Sequence, residues 1–126
     1  MAGQVPDNEI TRKADADLSA ATNRGRAVVL TAANGCALSG ANGKAVGILD
    51  NLPILGSAAR IITGGTAKAR AGAAYAVNAR LASDANGRLV TALADETVVG
   101  LAMEAALAID ELREVRVTPG ATSESA

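Results

Sequence analysis

The chain has 126 residues, 49% of them hydrophobic, with 12 basic and 13 acidic residues and a net charge of −1. That length fits one ordinary domain and leaves little room for a second. Histidine is absent, which excludes Ser-His-Asp and Cys-His catalysis, His-ligated metals and an imidazole switch; the single cysteine, Cys36, excludes an intrachain disulfide and a cysteine zinc site.

Alanine inflates the apolar count. There are 30 Ala against 10 Val, 6 Ile and 12 Leu, and Tyr75 is the one aromatic residue. A core this thin predicts that stability is shared through oligomerisation or a larger assembly. The start lacks the apolar stretch of a signal peptide, and no run of about 18 apolar residues occurs, so the expectation is a soluble protein, intracellular when made, without a membrane partner.

Residues 1–25 are polar and charged, with Val5, Ile10 and Leu18 as the sizeable apolar side chains. They read as an extended N-terminal arm, with a short helical turn near Ala14 to Ala21, that orders on a partner. From Arg26 short apolar runs alternate with Asn34-Gly35, Asn42-Gly43, Gly64-Gly65 and Asn86-Gly87. Asn-Gly is a strong hairpin signal, because both residues accept the positive φ of a type I′ turn.

The segments between these turns predict strands at Ala27–Thr31, Cys36–Leu38, Ala45–Leu49, Ala59–Thr63, Thr66–Arg70, Ala74–Val77, Arg80–Ala82, Arg88–Leu93, Val98–Glu104 and Glu114–Thr118. Thr66 to Ala71 and Glu114 to Thr118 alternate with period two, the pattern of a strand with one wet face. Ala102 to Arg113 favours helix by propensity, and a loop with a helical turn is expected over Ala106 to Leu112. The fold class is therefore mainly β, a small β-barrel or sandwich-like domain over 26–120, with the extended N-terminal arm (1–25) before it and a disordered tail (121–126) after it.

The chemistry-bearing residues have plain readings. Cys36 lacks a base and reads as a small core residue. Asp84-Ala85-Asn86-Gly87 lacks the closing acid of a calcium loop, so Asp84 caps a turn. Gly40 to Lys44 lacks the first phosphate-loop glycine at the right spacing, and Ala45 stands where Ser or Thr would hold magnesium. No cofactor, metal or enzymatic activity is expected. Arg60, Lys68, Arg70, Arg80 and Arg88 alternate along strands, but one aromatic residue and a pI near 5.3 argue against nucleic acid. An acidic protein surface, or plain solvation, suits them better. Charge is also segregated: residues 27–94 carry +4 and 95–126 carry −5, a separation that suits subunit contacts.

With Arg26-Ala27-Val28-Val29-Leu30-Thr31, Ala45-Val46-Gly47-Ile48-Leu49, Ala71-Gly72-Ala73-Ala74, Leu81 to Arg88, Val99 to Ala105 and Glu114 to Gly120, residues 26–120 resemble the bacteriophage capsid cement, or head-decoration, proteins. The resemblance implies a virion structural protein on the outer surface of the expanded head. Its partner would be the major capsid protein, and it would often sit there as a homotrimer, with no catalysis to carry over. The arm and the Ala106–Leu112 insert depart from the pattern. The residues expected to make capsid or subunit contacts are Ile10, Arg12, Lys13 and Leu18 of the arm, with Arg60 and Arg70. Two alternatives stand: another virion β module, such as a head fibre base or tail-associated protein, and a small carboxylate enzyme.

Overall fold

The computed structural model describes residues 6–32, 35–41, 43–93 and 96–122. They form nine strands: β1 (Pro6–Ala14), β2 (Ala27–Leu30), β3 (Gly35–Leu38), β4 (Gly47–Leu49), β5 (Ala58–Arg70), β6 (Arg80–Ser83), β7 (Leu89–Thr91), β8 (Thr97–Ala102) and β9 (Leu112–Thr122). The β-barrel expectation holds. Antiparallel pairs join β3 to β2, β2 to β4, β4 to β5 and β5 to β1, and a parallel contact of β1 with β3 closes a five-stranded ring. A second, antiparallel sheet runs β5-β9-β8-β6-β7. Its far edge curls back to the end of β5, where Ala71 bridges Leu89 and the Gly72 amide donates to the Leu89 carbonyl at 2.7 Å.

Residues 6–14 of the expected arm are extended, and they belong to the barrel. They pair with β5 from Pro6↔Gly65 to Lys13↔Ala58 and meet β3 at Lys13↔Gly35 and Ala14↔Cys36. Ala14 and Leu18 are buried. The apolar surface that the segment lacks is supplied by β5, a partner 45 to 59 residues further along the chain that local composition does not reveal. The helical turn forms as a 3-10 turn at Ala21–Asn23, slightly later than expected.

Gly64-Gly65 does not reverse the chain. β5 runs through it as one strand of 13 residues, so the two strands expected at Ala59–Thr63 and Thr66–Arg70 are one. Gly65 takes φ +75°, and the β1 register shifts on either side of Asn8, which lies opposite the neighbouring Gly64. A glycine in the left-handed region makes a bulge, which bends the strand from one sheet into the other without ending it.

This shared strand explains the adjacent apolar pairs. Val28, Leu49 and Ile61 point into one buried cluster with Ala14, Leu18, Cys36 and Ala59, whereas Ala27, Ile48 and Ile62 join a second cluster with Leu81, Leu89, Val99 and Val115. A sheet covered on both faces needs continuous apolar runs instead of alternation. The second cluster also contains Ala67, Ala69, Ala71, Ala102 and Ala106, so small side chains let the layers approach closely.

Other local expectations shift. Ala74–Val77 is no strand; Tyr75 alone bridges Ala106 through two 3.0 Å hydrogen bonds. In the Ala106–Leu112 loop a turn forms with Asp110 at φ +68° in place of a helical turn, since the Ala106 and Asp110 amides are already given to Tyr75 and Ala71. β9 continues past Pro119-Gly120, pairing Ala121 with Val98 and Thr122 with Thr97, so the expected tail loses its first two residues to the sheet. The register shift between Val98 and Gly100 accommodates a proline without an amide donor. Residues 123–126 lie outside the described residues, as do Asn34 and Asn42 of two Asn-Gly pairs. The third pair closes the β6–β7 connection with Gly87 alone at positive φ (+78°), so the turn is not the expected I′ pair.

Candidate contact surface

Charged side chains on this fold are largely committed to internal bonds. Arg60, on β5, donates to both oxygens of Glu9 on β1, at 2.5 and 2.6 Å, and its Nη1 lies 2.9 Å from Asp50, which Arg24 also approaches at 3.5 Å. The Asp50 side chain is only 4% exposed. Hydrogen bonds from Arg60 hold the Glu9 carboxyl below its ordinary range, and the same bonds raise the guanidinium. This chain of charges clamps the barrel-closing strand to β5.

The other acids serve turns and loops. Asp84 Oδ1 accepts the amides of Asn86 and Arg88 at 2.8 and 3.0 Å, the turn-capping role expected for it. Glu104 accepts the Glu114 amide at 2.7 Å and pairs with Lys68, so its carboxyl is lowered. Glu111 accepts the Leu107 amide at 2.8 Å and pairs with Arg113, with the same result. Cys36 is buried in the barrel, and burial pushes its thiol up. This is the core role expected of it.

The contact residues expected from the sequence scatter. Leu18 is a core residue, its amide donating to the Pro53 carbonyl at 2.8 Å, and so offers no side chain to a partner. Ile10 is half-buried against the barrel cluster opposite Ile61. Arg12 is half-buried with Nη1 on the Thr11 carbonyl, and Lys13 is exposed beside it. Arg70 lies at the other end of β5, far along the strand from Arg60.

Exposed large apolar side chains mark two other regions. Leu52, Ile54 and Leu55 occupy the β4–β5 connection, the last two 60% and 65% exposed. Val77, Met103, Leu107 and Ile109 lie on two segments, 71–79 and 102–111, that hydrogen-bond to each other through the Tyr75–Ala106 bridge, and Leu107 is 78% exposed. Large apolar residues gathered on surface loops mark contact sites. The sequence carried a signal, since the Ala106–Leu112 insert places Leu107 and Ile109 in a loop.

The fold thus defines a class: a small β protein in which a closed five-stranded barrel shares its longest strand with a second sheet. The crystal structure of the head fibre gp8.5 N base in bacteriophage phi29 has a similar fold, with a TM-score of 0.67 at 18% identity, over 88% of this chain and 93% of that one. No protein-family model matches the chain, and no curated protein matches it in sequence.

Proposed function

We propose that this chain is a structural protein of a phage head, a cement or decoration protein. It binds the major capsid protein on the outer surface of the expanded shell, seated there as a homotrimer. The observation that carries this reading is the likeness, over 88% of the chain, to the base of a phage head fibre. The resemblance of residues 26–120 to head-decoration proteins supports it. So do the exposed apolar loops, which give a partner something to bury.

A cement protein needs only to bind the expanded lattice better than its precursor. Differential binding then stabilises the expanded state by mass action, and repetition over many sites multiplies a modest affinity into resistance to internal pressure. The fibre base is a second reading, favoured by the particular protein that shares the fold.

Quantitative mass spectrometry of purified particles, set against the major capsid protein, tests both. A lattice-like copy ratio supports cement. A handful of copies transfers the chain to a fibre base or vertex part, and absence from the particle overturns a virion role. Leu107→Ser with Ile109→Ser is expected to lower occupancy on heads while leaving the fold intact, because both side chains already face solvent.

A further inference from the structure

Three arginines meet where the barrel joins the second sheet. Arg26 precedes β2, Arg70 ends β5 and Arg88 precedes β7. Arg70 Nη1 donates to the Asp110 carbonyl at 3.0 Å, and Arg88 Nη1 donates to the Asp110 carboxylate at 3.2 Å, so both reach the same residue. Arg26 Nη1 donates to the Asn86 carbonyl at 2.9 Å, and the Ala27 amide donates to the Gly87 carbonyl at 2.7 Å, which sets Arg26 beside the turn that carries Arg88.

These bonds fasten the 21–26 segment and the Asp110 loop: Arg26 Nε also reaches the Thr22 carbonyl, and Arg70 reaches those of Arg24 and Ala21. They do not balance the charge. Three guanidiniums face two carboxylates, Asp110 and Asp84, the latter 3.5 Å from Arg88 Nε. Among the described residues the buried Arg88 Nε has no hydrogen-bond partner. Burial, and then repulsion from Arg88 and Arg70, lowers Arg26, the response of a cation short of counter-charge.

We propose that Arg26, Arg70 and Arg88 form a seat for a carboxylate presented by an acidic protein partner. Guanidinium forks match a carboxylate with paired, charge-assisted hydrogen bonds. The choice of a protein over a bare anion rests on the neighbouring surface: Asp110, which holds two of the arginines, follows directly after the exposed Leu107 and Ile109 on one loop. A partner that covers those apolar side chains brings its acid into the seat. The proposal deepens the head-surface reading and rests on it for the partner's identity.

The test uses the full chain and two probes, inorganic phosphate and a tetraglutamate peptide, followed by the Nε–H resonances of the arginines at constant ionic strength. Both probes are expected to move the signals of Arg26 and Arg88. Arg26→Gln should weaken peptide binding about tenfold. Arg26→Lys, which keeps the charge without the fork, should fall between. Lys44→Gln removes the same charge from an exposed site elsewhere and should leave binding unchanged. Among the described residues Arg26 bonds only backbone carbonyls and pairs with no acid, so its loss should not unfold the chain, and a thermal melt of each variant verifies this.

Silence of the arginine signals with both probes overturns the seat, as does equal weakening by Lys44→Gln. A response to phosphate alone overturns the protein partner. Particle copy number reads the head-surface assignment separately, so a working seat on a chain absent from particles would sink that assignment and not the seat.

Discussion

Tyr75→Phe should stabilise this protein. Tyr75 is 6% exposed within the larger core cluster, and its hydroxyl is buried without a hydrogen-bond partner among the described residues. Burial raises the phenol, so it stays neutral at any ordinary pH. A buried hydroxyl without a partner costs about 1–3 kcal/mol of desolvation in mutational series. Removing one oxygen leaves only a small void, whose lost contacts offset part of the gain. The net is a stabilisation of about 1 kcal/mol. With unfolding entropy of about 2.1 cal/mol/K per residue, a chain of 126 residues should gain roughly 4 °C in Tm. Calorimetry and urea unfolding of the two proteins measure it, with an unchanged m-value expected. A fall in Tm of about 2 °C or more would refute the reasoning, because it would show that the hydroxyl is well bonded in the folded state.

Gly47→Ala should cost about 2 kcal/mol or more, read as a drop in urea midpoint: a Cβ there would press on the Ile62 carbonyl and the Ile61 side chain, both fixed inside the double-faced sheet. Deleting residues 2–14 should abolish cooperative unfolding by circular dichroism, since it opens the ring and bares Ala59 and Ile61; a deletion variant that melts as sharply as the parent would show that β1 is dispensable. Acid should destabilise in a defined window. The carboxyls of Glu9, Glu104 and Glu111 are lowered from the ordinary 4.5. Each thus binds protons less readily folded than unfolded, and its contribution is complete above pH 4.5 and lost as pH falls through the lowered values. Urea midpoints should be flat from pH 7 to 5 and drop below 4.5. Arg60→Gln should shrink that acid-dependent drop, because the partner that lowers Glu9 is gone.

Local patterns carried most of the strands. Alternation over Thr66 to Ala71 and Glu114 to Thr118 marked residues with one wet face, and Asp84 capped its turn as its position suggested. What local pattern does not encode is where a segment finds its partner. Residues 6–14 read as an arm because their stabilising contacts lie across the barrel on β5, and Gly64-Gly65 read as a reversal because glycine permits both a turn and a bulge. Ala74–Val77 and Pro119–Thr122 erred in opposite directions for one reason, since pairing with a distant strand decides whether an Ala-rich or Pro-Gly stretch enters a sheet. The candidate site was less legible. Leu18 resembled a loose apolar residue and is core, whereas Leu107 and Ile109 sit in a stretch with helical propensity that the Tyr75–Ala106 bridge holds open to solvent.

The uninterrupted course of β5 has a mechanical meaning. One backbone of 13 residues runs from sheet to sheet, with 58–65 pairing in the barrel and 66–70 pairing with β9, so no flexible tether separates the two halves. A pull applied to the Asp110 loop would travel through β9 into β5 and on to β1 along rows of hydrogen bonds loaded side by side. Such a body yields as a unit or not at all, and it bears a sideways load without a weak joint.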